Sequence, residues 1–224
     1  MTFQSYPDAE MLMIDLANQV AGDLENALLT HDRVTLAVPG GSTPGPMFDM
    51  LAAADLDWQR VDVMLTDERW VPIDHIRSNT RLLKNRLMKD RAVAANLIPF
   101  YQGGLDVVQG AAQAAARVAD ALPIDVLILG MGADMHTASL FPGAPELPAA
   151  QSMDAPPVHA MTPGDGLEPR VTLTAPVLAG AMATHILIVG DEKRTAYDRA
   201  QDLPFDQAPV GQFLRQAITH WAKD

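Results

Sequence analysis

The sequence predicts an α/β fold, with a single domain over residues 1–224 whose open, mostly parallel sheet is flanked by helices on both faces. Short runs of branched apolar residues end abruptly at glycine, proline or polar residues, as strands buried on both faces do. These runs alternate with stretches in which apolar residues recur every three or four positions, as in helices packed on a sheet. The 224 residues suffice for one large domain and contain no repeat or low-complexity linker.

The first half of the chain alternates helix and strand. Large apolar residues at positions 13, 16, 20, 24 and 28 have the spacing of one buried helix face. Each predicted strand ends where glycine, proline or charged residues begin. The predicted elements are a helix over residues 11–29, a strand over Arg33–Val38, a helix over Pro46–Ala54, a strand over Val61–Thr66, and a helix over Ser78–Met88 with Ser78 as its N-cap.

The second half continues the alternation around one irregular excursion. The segment Pro142–Pro169 contains seven prolines and is predicted to be irregular, with one short strand near Val158–Met161. The other predicted elements are a helix over Asp106–Leu122 with Asp106 and Gln109 spaced as a capping box, strands over Ile124–Leu129 and Thr184–Val189, and a helix over Asp191–Gln201.

Composition and charge exclude several classes of function. Twenty-eight Asp and Glu against 16 Lys and Arg give a net charge of −12, which argues against a nucleic-acid partner. The absence of cysteine excludes disulfides, thiolate nucleophiles and cysteine-built metal sites. The start lacks a basic signal region, and no apolar run approaches the roughly 20 residues of a membrane span. We therefore expect a cytoplasmic protein that contacts neither membrane nor nucleic acid.

Ligands of open parallel sheets bind outside the carboxyl ends of the strands, so the loops that follow the strands are the places to seek a site. After the first strand, Gly40, Gly41, Ser42 and Thr43 lead into a helix, which suits a phosphate cradle. An ordinary glycine-rich turn explains this loop equally well, and the spacing of a nucleotide-binding P-loop is missing.

Charged residues follow the second strand, where Asp67 and Arg69 stand in the block Thr66–Pro72. Arg77 and Arg81 come shortly afterwards and form a candidate anion site. For these two arginines we favour the alternative, which is pairing with nearby carboxylates at the surface.

The third strand leads into a loop with Gly130, Gly132, Asp134 and His136. Met135 stands where the dinucleotide-binding fingerprint needs its third glycine, so that fingerprint fails. Asp134 and His136 could orient a general base or supply two metal ligands, and no neighbouring residue completes a metal set. The position after a buried strand favours a catalytic histidine over a structural one.

Two further basic residues follow later strands or turns. Arg170 and Lys193 could complete the charge of a phosphate pocket. The alternatives are a strand-end ion pair for Arg170 and a solvated position for Lys193.

Taken together, these segments resemble the 6-phosphogluconolactonase family, which hydrolyses a phosphosugar lactone in the pentose phosphate pathway. The resemblance runs through V-P-G-G-S-T-P at 38–44, T-D-E-R-W-V-P at 66–72, S-N at 78–79, the block at 125–142 that ends H-T-A-S-L-F-P, R-V-T-L-T at 170–174, and the turn ending at Lys193. It implies a parallel sheet flanked by helices, a phosphosugar lactone as substrate, and no metal or organic cofactor.

The resemblance also implies roles for particular residues. The glycine loop, with Gly41, Ser42 and Thr43, would bind phosphate together with Arg170 and Lys193, while Asp67, Arg69 and His136 would face the lactone. His136 would be the general base, oriented by Asp67 or Asp134. The family reads D-G-H where this chain has Asp134-Met135-His136. We expect Met135 to keep an ordinary negative φ and to turn its side chain away from the pocket.

Two other functions remain open at this stage. A sugar-phosphate deaminase or isomerase of the same fold would share the phosphate pocket, but Arg69-Trp70 and Ser139-Leu140-Phe141 favour the lactonase. A sugar-phosphate-binding protein without catalysis is the second alternative, with Met135 as the lesion. The sequence makes no prediction of oligomeric state.

Overall fold

The computed structural model describes residues 1–164 and 166–224. Its strands are β1 (Thr2–Tyr6), β2 (Val34–Val38), β3 (Val61–Leu65), β4 (Asp67–Arg69), β5 (Asn96–Leu97), β6 (Val126–Gly130), β7 (Val158–Met161), β8 (Arg170–Leu173), β9 (Ala183–Val189) and β10 (Ile218–Ala222). Seven strands form the main sheet in the order β1-β10-β9-β6-β2-β3-β5, and every neighbouring pair is parallel. A small antiparallel sheet has the order β4-β8-β7. The predicted fold class is confirmed.

Helices cover both faces of the main sheet. They are α1 (Ala9–Leu28), α2 (Gly45–Ala52), α3 (Asn79–Arg86), α4 (Val107–Ala119), α5 (Leu147–Gln151), α6 (Ala175–Ala179) and α7 (Asp191–Ala200), with short 3₁₀ helices at Trp58–Arg60, Asp90–Ala94 and Pro209–Gln212. Within the two described ranges, no helix is long and apolar enough to cross a membrane.

The core lies in two layers, one on each face of the sheet. Side chains alternate along β6, so that Val126 and Ile128 pack with α1, α2 and α3, whereas Leu127 and Leu129 pack with α4 and α7. Burying each such side chain contributes about 1.5–3 kcal/mol. Because both faces of the sheet are covered, the central strands have apolar residues at nearly every position. This pattern is why they could be predicted from the sequence.

The two predicted N-caps are confirmed. The Ser78 hydroxyl accepts a hydrogen bond from the Arg81 backbone N–H at 3.2 Å, and α3 begins at the next residue. The Asp106 carboxylate accepts from the Gln109 N–H at 2.8 Å at the start of α4. Each cap satisfies a backbone donor that would otherwise lack a partner at the first turn of its helix.

Several elements were not predicted, for identifiable reasons. Strand β1 lies at an edge of the sheet and is partly exposed, while β10 contains the fully buried polar residues Thr219 and His220. Neither therefore has a continuous apolar pattern. The proline-rich segment contains helix α5, which was not predicted. The helix tolerates Pro148 because this residue lies in its first turn, where a backbone N–H has no partner within the helix. The strand predicted near Val158–Met161 is confirmed as β7.

The strand order places a crevice between β2 and β6. From β2 the chain adds β3 and β5 toward one edge, whereas β6, β9 and β10 lie on the other side of β2. Such a reversal opens a cleft outside the carboxyl ends of the two strands, where ligands of open α/β sheets bind. The loops that follow β2 and β6 are the glycine loop and the loop with His136.

Candidate active site

A cavity of about 520 Å³ lies at the carboxyl ends of the central strands. Nine of the ten residues that the sequence singled out line it, namely Gly40, Gly41, Thr43, Asp67, Arg69, Asp134, His136, Arg170 and Lys193. The tenth, Ser42, is exposed and does not belong to the lining, although its carbonyl accepts a hydrogen bond from the Gly45 N–H at 3.2 Å. The fold thus brings together residues from five separate segments of the chain.

His136 is held by Asp134. The Asp134 Oδ1 atom lies 2.5 Å from His136 Nδ1 and also accepts from the His136 backbone N–H at 3.2 Å. Burial acts to raise the pKa of Asp134, but the hydrogen bonds from His136, and the positive charge of its imidazole when protonated, outweigh burial and hold that pKa below its usual value. An ionised Asp134 fixes the proton of neutral His136 on Nδ1, so Nε2 is the ring nitrogen that can accept a proton.

The ring of His136 packs against Phe141, with centroids 4.8 Å apart and planes 44° apart. Gly132 leaves room for the couple, because a Cβ at that position would lie 2.2 Å from His136 Nδ1. The histidine is therefore positioned from two sides, by a carboxylate and by an aromatic ring.

Met135 departs from the expected backbone conformation. Its φ is 68°, in the left-handed region, so the prediction of an ordinary negative φ is wrong. Its side chain is 7% exposed, packs in the core and is not part of the cavity lining, so the expectation that it turns away from the pocket is confirmed. Glycine suits this position for its backbone freedom, and methionine adopts the same conformation under strain.

Asp67 has partners other than His136. Its Oδ2 atom accepts a hydrogen bond from the Ser139 hydroxyl at 2.6 Å, and it lies 3.8 Å from an Arg170 nitrogen. Within the described part of the chain, the carboxylate that contacts His136 is Asp134, a choice that the sequence left open.

Arg170 is a buried cation with unused hydrogen-bonding capacity. Its side chain is 8% exposed, and its Nε has no hydrogen-bond partner among the described residues. Burial lowers the pKa of its guanidinium, although the charge of Asp67 acts in the opposite direction. A buried guanidinium with a free donor at a cavity wall favours an anionic ligand.

Arg69 and Lys193 add positive charge to the same cavity. Arg69 pairs with Arg170 in the β4–β8 register, and Arg69 donates from Nη1 to the Arg77 carbonyl at 2.7 Å. Lys193 lies in the first turn of α7, and burial lowers the pKa of its ammonium. The described residues offer neither Arg69 nor Lys193 an ion pair, so both charges are available to a ligand.

The interpretation of Arg77 as a surface ion pair is confirmed, because its Nε lies 2.5 Å from Glu168. Arg81 instead donates to the Asp74 backbone carbonyl at 2.9 Å. Neither arginine lines the cavity.

The glycine loop is shaped by close approach and by backbone conformation. A Cβ on Gly40 would lie 2.1 Å from the Asn79 side chain, and Gly41 has a φ of 86°. Asn79 in turn donates to the Asp67 carbonyl at 3.0 Å and lines the cavity. Asn79 was not assigned to the site from the sequence. Its place directly after the N-cap of α3 was the available signal.

The arrangement combines an imidazole base with three cations in one cleft. Within residues 1–164 and 166–224, no group of three or more His, Asp or Glu residues could hold a metal ion. The described side chains are suited to bind an anionic small molecule and to move a proton at His136 Nε2.

Comparisons with known proteins show similarity along nearly the whole chain. The family model described as glucosamine-6-phosphate isomerases/6-phosphogluconolactonase matches residues 7–221. A 6-phosphogluconolactonase of Mesorhizobium japonicum is 40% identical over 206 residues, covering 88% of this chain and 84% of the relative. Another, from Rhizobium meliloti, is 39% identical and covers 92% of both chains.

Solved structures show the same likeness. A 6-phosphogluconolactonase from Shewanella baltica superposes with a TM-score of 0.95 at 30% identity, covering 99% of this chain and 97% of that one. A monomeric glucosamine-6-phosphate deaminase reaches a TM-score of 0.83 at 15% identity, which shows a shared fold alone. On the family match and the identity to its relatives, the chain belongs to the glucosamine-6-phosphate isomerase/6-phosphogluconolactonase family.

Proposed function

We propose that the protein hydrolyses 6-phospho-D-glucono-1,5-lactone to 6-phospho-D-gluconate, a step of the oxidative pentose phosphate pathway. The observation that carries the proposal is the His136–Asp134 couple in the same cavity as the buried Arg170 and as Lys193, for which the described residues provide no ion pair. Relatives 39–40% identical to the chain are named 6-phosphogluconolactonase.

The reaction starts with the attack of water on the lactone carbonyl carbon. His136 Nε2 takes a proton from the water as the new C–O bond forms, and the carbonyl oxygen becomes an alkoxide. Asp134, bonded to Nδ1, stabilises the imidazolium that results. Arg69 is our candidate to stabilise the growing negative charge, because it lines the cavity and forms no ion pair with a described carboxylate.

Collapse of the tetrahedral intermediate then breaks the bond between the carbonyl carbon and the ring oxygen. The imidazolium of His136 returns its proton to the departing ring oxygen, which becomes the hydroxyl of the open-chain acid. The base is neutral again at the end, and one water molecule has been consumed. No step of this sequence requires a metal or an organic cofactor.

The phosphate group provides binding energy remote from the reacting carbon. Arg170 and Lys193 supply positive charge, and Gly40, Gly41 and Thr43 bring backbone and hydroxyl donors to the same cavity. Ser42 belongs to the proposal only through its backbone, since its side chain is exposed outside the lining. Fixing the sugar ring in this way aligns the carbonyl with the base.

Three further properties go with the proposal. The chain would act as one domain over residues 1–224, in the cytoplasm, where phosphorylated sugars are formed and retained. Its partner would be the small phosphosugar lactone, without nucleic acid.

The test is turnover of freshly generated 6-phosphogluconolactone, corrected for spontaneous hydrolysis. Unphosphorylated gluconolactone and glucosamine 6-phosphate are assayed in parallel. We expect hydrolysis of the phosphorylated lactone to be far faster than that of the unphosphorylated one. Equal rates on both lactones, or turnover of glucosamine 6-phosphate alone, would contradict the proposal. Binding without turnover would favour the non-catalytic alternative.

A further inference from the structure

Glu68 is a fully buried carboxylate next to the cavity, and it has no cationic partner among the described residues. Four donors surround it. Its Oε1 accepts from the Arg69 N–H at 2.8 Å and from the Asn79 N–H at 2.7 Å. Its Oε2 accepts from the Thr80 N–H at 2.7 Å and from the Ser78 hydroxyl at 3.1 Å.

These four bonds exclude a direct chemical role. A carboxylate offers about four acceptor positions, and all of them are occupied by the chain itself. Glu68 does not line the cavity. It therefore acts on the reaction only through the residues that it holds.

Those residues belong to three parts of the site. Glu68 lies between Asp67 and Arg69 in β4 and is bonded to the first turn of α3, where Asn79 stands. The Asn79 side chain donates to the Asp67 carbonyl at 3.0 Å and fills the space that Gly40 leaves open. One buried charge thus joins β4, the start of α3 and the glycine loop.

Helix capping alone does not account for this arrangement. The Ser78 hydroxyl already serves as the N-cap of α3. The negative charge of Glu68 at the positive end of that helix strengthens the bonds to the backbone N–H groups. A capping side chain on the exposed side of α3 would stabilise the helix without a hydrogen bond to the Arg69 backbone, whereas Glu68 makes that bond.

We propose that Glu68 is a positioning residue, whose buried carboxylate sets the placement of Arg69 and, through Asn79, of the glycine loop for the phosphosugar. The proposal rests on the proposed function for its kinetic readout. Small displacements of binding groups can lower rates by up to about 100-fold, so an effect on catalysis is expected without any contact to substrate.

The experiment compares Glu68→Gln with Asp125→Asn. Asp125 is also a buried carboxylate, and it accepts from the Thr35 N–H at 2.7 Å, but it lies at the opposite, amino end of β6. We expect Glu68→Gln to lower kcat/KM by roughly 10–100-fold and Asp125→Asn to change it less than about twofold, both measured where circular dichroism shows folded protein. Equal kcat/KM for Glu68→Gln and the wild type would overturn the proposal.

A double-mutant cycle separates positioning from general loosening. In an Arg69→Ala background, Glu68→Gln should have an effect at least several-fold smaller than in the wild type, because the group that it positions is gone. An undiminished effect would refute action through Arg69. If Glu68→Gln does not fold, Ser78→Ala removes one of the four donors, with Asp106→Ala at the start of α4 as its control. A loss of kcat/KM in the first but not the second supports the proposal, and equal kinetics refute it.

A binding measurement keeps the proposal testable if the wild type hydrolyses no lactone. Calorimetric titration with inorganic phosphate should give a several-fold weaker Kd for Glu68→Gln and an unchanged Kd for Asp125→Asn. Unchanged phosphate affinity in both variants would then count against positioning of the glycine loop. Absent turnover in the wild type would count against the proposed function alone.

Discussion

The backbone of Met135 leads to a quantitative prediction about stability. This residue has a φ of 68° and a side chain that is 7% exposed in the core. Two opposing contributions follow. Truncating a buried methionine costs about 2–5 kcal/mol. Holding a residue with a Cβ in the left-handed region costs about 1–2 kcal/mol, and glycine escapes that strain.

The comparison of Met135→Ala with Met135→Gly isolates the strain, because both variants lose the same packing beyond Cβ. Alanine keeps a Cβ in the left-handed conformation, whereas glycine does not. The strain of about 1–2 kcal/mol that glycine relieves exceeds the roughly 0.4–1 kcal/mol that its freedom in the unfolded chain costs. We therefore expect Met135→Gly to be more stable than Met135→Ala by about 1 kcal/mol, although both are less stable than the wild type.

Met131 provides the matched control in the same loop. It is also buried, at 3% exposure, and it is not one of the described residues with positive φ. At such a position glycine only increases the freedom of the unfolded chain. Met131→Gly should therefore be less stable than Met131→Ala by roughly 0.4–1 kcal/mol, which reverses the order expected at position 135.

Urea unfolding at constant pH measures all four variants, with midpoints and slopes fitted together. Alanine more stable than glycine at both positions would refute the assignment of strain to Met135. In the same samples, kcat/KM of Met135→Gly should stay within tenfold of the wild type, or about 1.4 kcal/mol, because the Met135 side chain does not line the cavity. An inert natural chain whose activity Met135→Gly restores would overturn the lactonase proposal.

Three further predictions concern the base, the phosphate contact and a buried histidine. His136→Asn should lower kcat by roughly 10²–10⁴-fold with binding largely retained, and near-normal turnover would remove His136 from the mechanism. Arg170→Ala should lower kcat/KM for the phosphorylated lactone only, by a factor that corresponds to about 1.5–3 kcal/mol of lost transition-state binding energy. An equal loss for gluconolactone would argue against a phosphate contact. His220 faces His185 and Tyr6, and burial followed by the charge of His185 lowers its pKa from 6.5 to about 4. Between pH 6.5 and 4 the His220 imidazole takes up a proton in the unfolded chain but not in the folded one. The free energy of unfolding should therefore fall by roughly 3 kcal/mol as the pH drops from 6.5 to 4. A His220→Gln variant whose free energy of unfolding depends on pH as strongly as that of the wild type would contradict this.

The sequence predicted the central strands because burial on both faces leaves a simple signature. Runs such as Ile124–Leu129 contain apolar residues at nearly every position, and the structure places β6 there. Strand β10 was not predicted, because its buried positions include the polar residues Thr219 and His220. The buried His220 has a hydrogen-bond partner in His185 of β9, which lies 35 residues away in the sequence. Propensity along the chain contains no information about such a partner.

The candidate site shows the same division. Loops after buried strands could be predicted to meet at one edge of the sheet, and nine of the ten residues do line one cavity. The sequence could not determine which carboxylate contacts His136, since Asp67 and Asp134 are both adjacent to predicted strands. In the structure Asp134 Oδ1 lies 2.5 Å from His136 Nδ1, whereas Asp67 accepts a hydrogen bond from the Ser139 hydroxyl at 2.6 Å.

The loop that contains His136 is strained, and its hydrogen bonds explain why it stays in place. Of the three described non-glycine residues with positive φ, Met135 and Ala138 lie here, on either side of His136. The loop is held by bonds from the Gly132 N–H to the His136 carbonyl, from the Thr137 hydroxyl to the Gly130 carbonyl, from the Ser139 N–H to the Thr172 hydroxyl, and from the Val210 N–H to the Met135 carbonyl. A strained backbone conformation persists when several contacts with the surrounding structure fix it, and these four hydrogen bonds do so here. The distance between His136 and Asp134 is therefore set by the fold before a ligand binds, and in the proposed mechanism a base placed in advance needs no rearrangement when the proton moves.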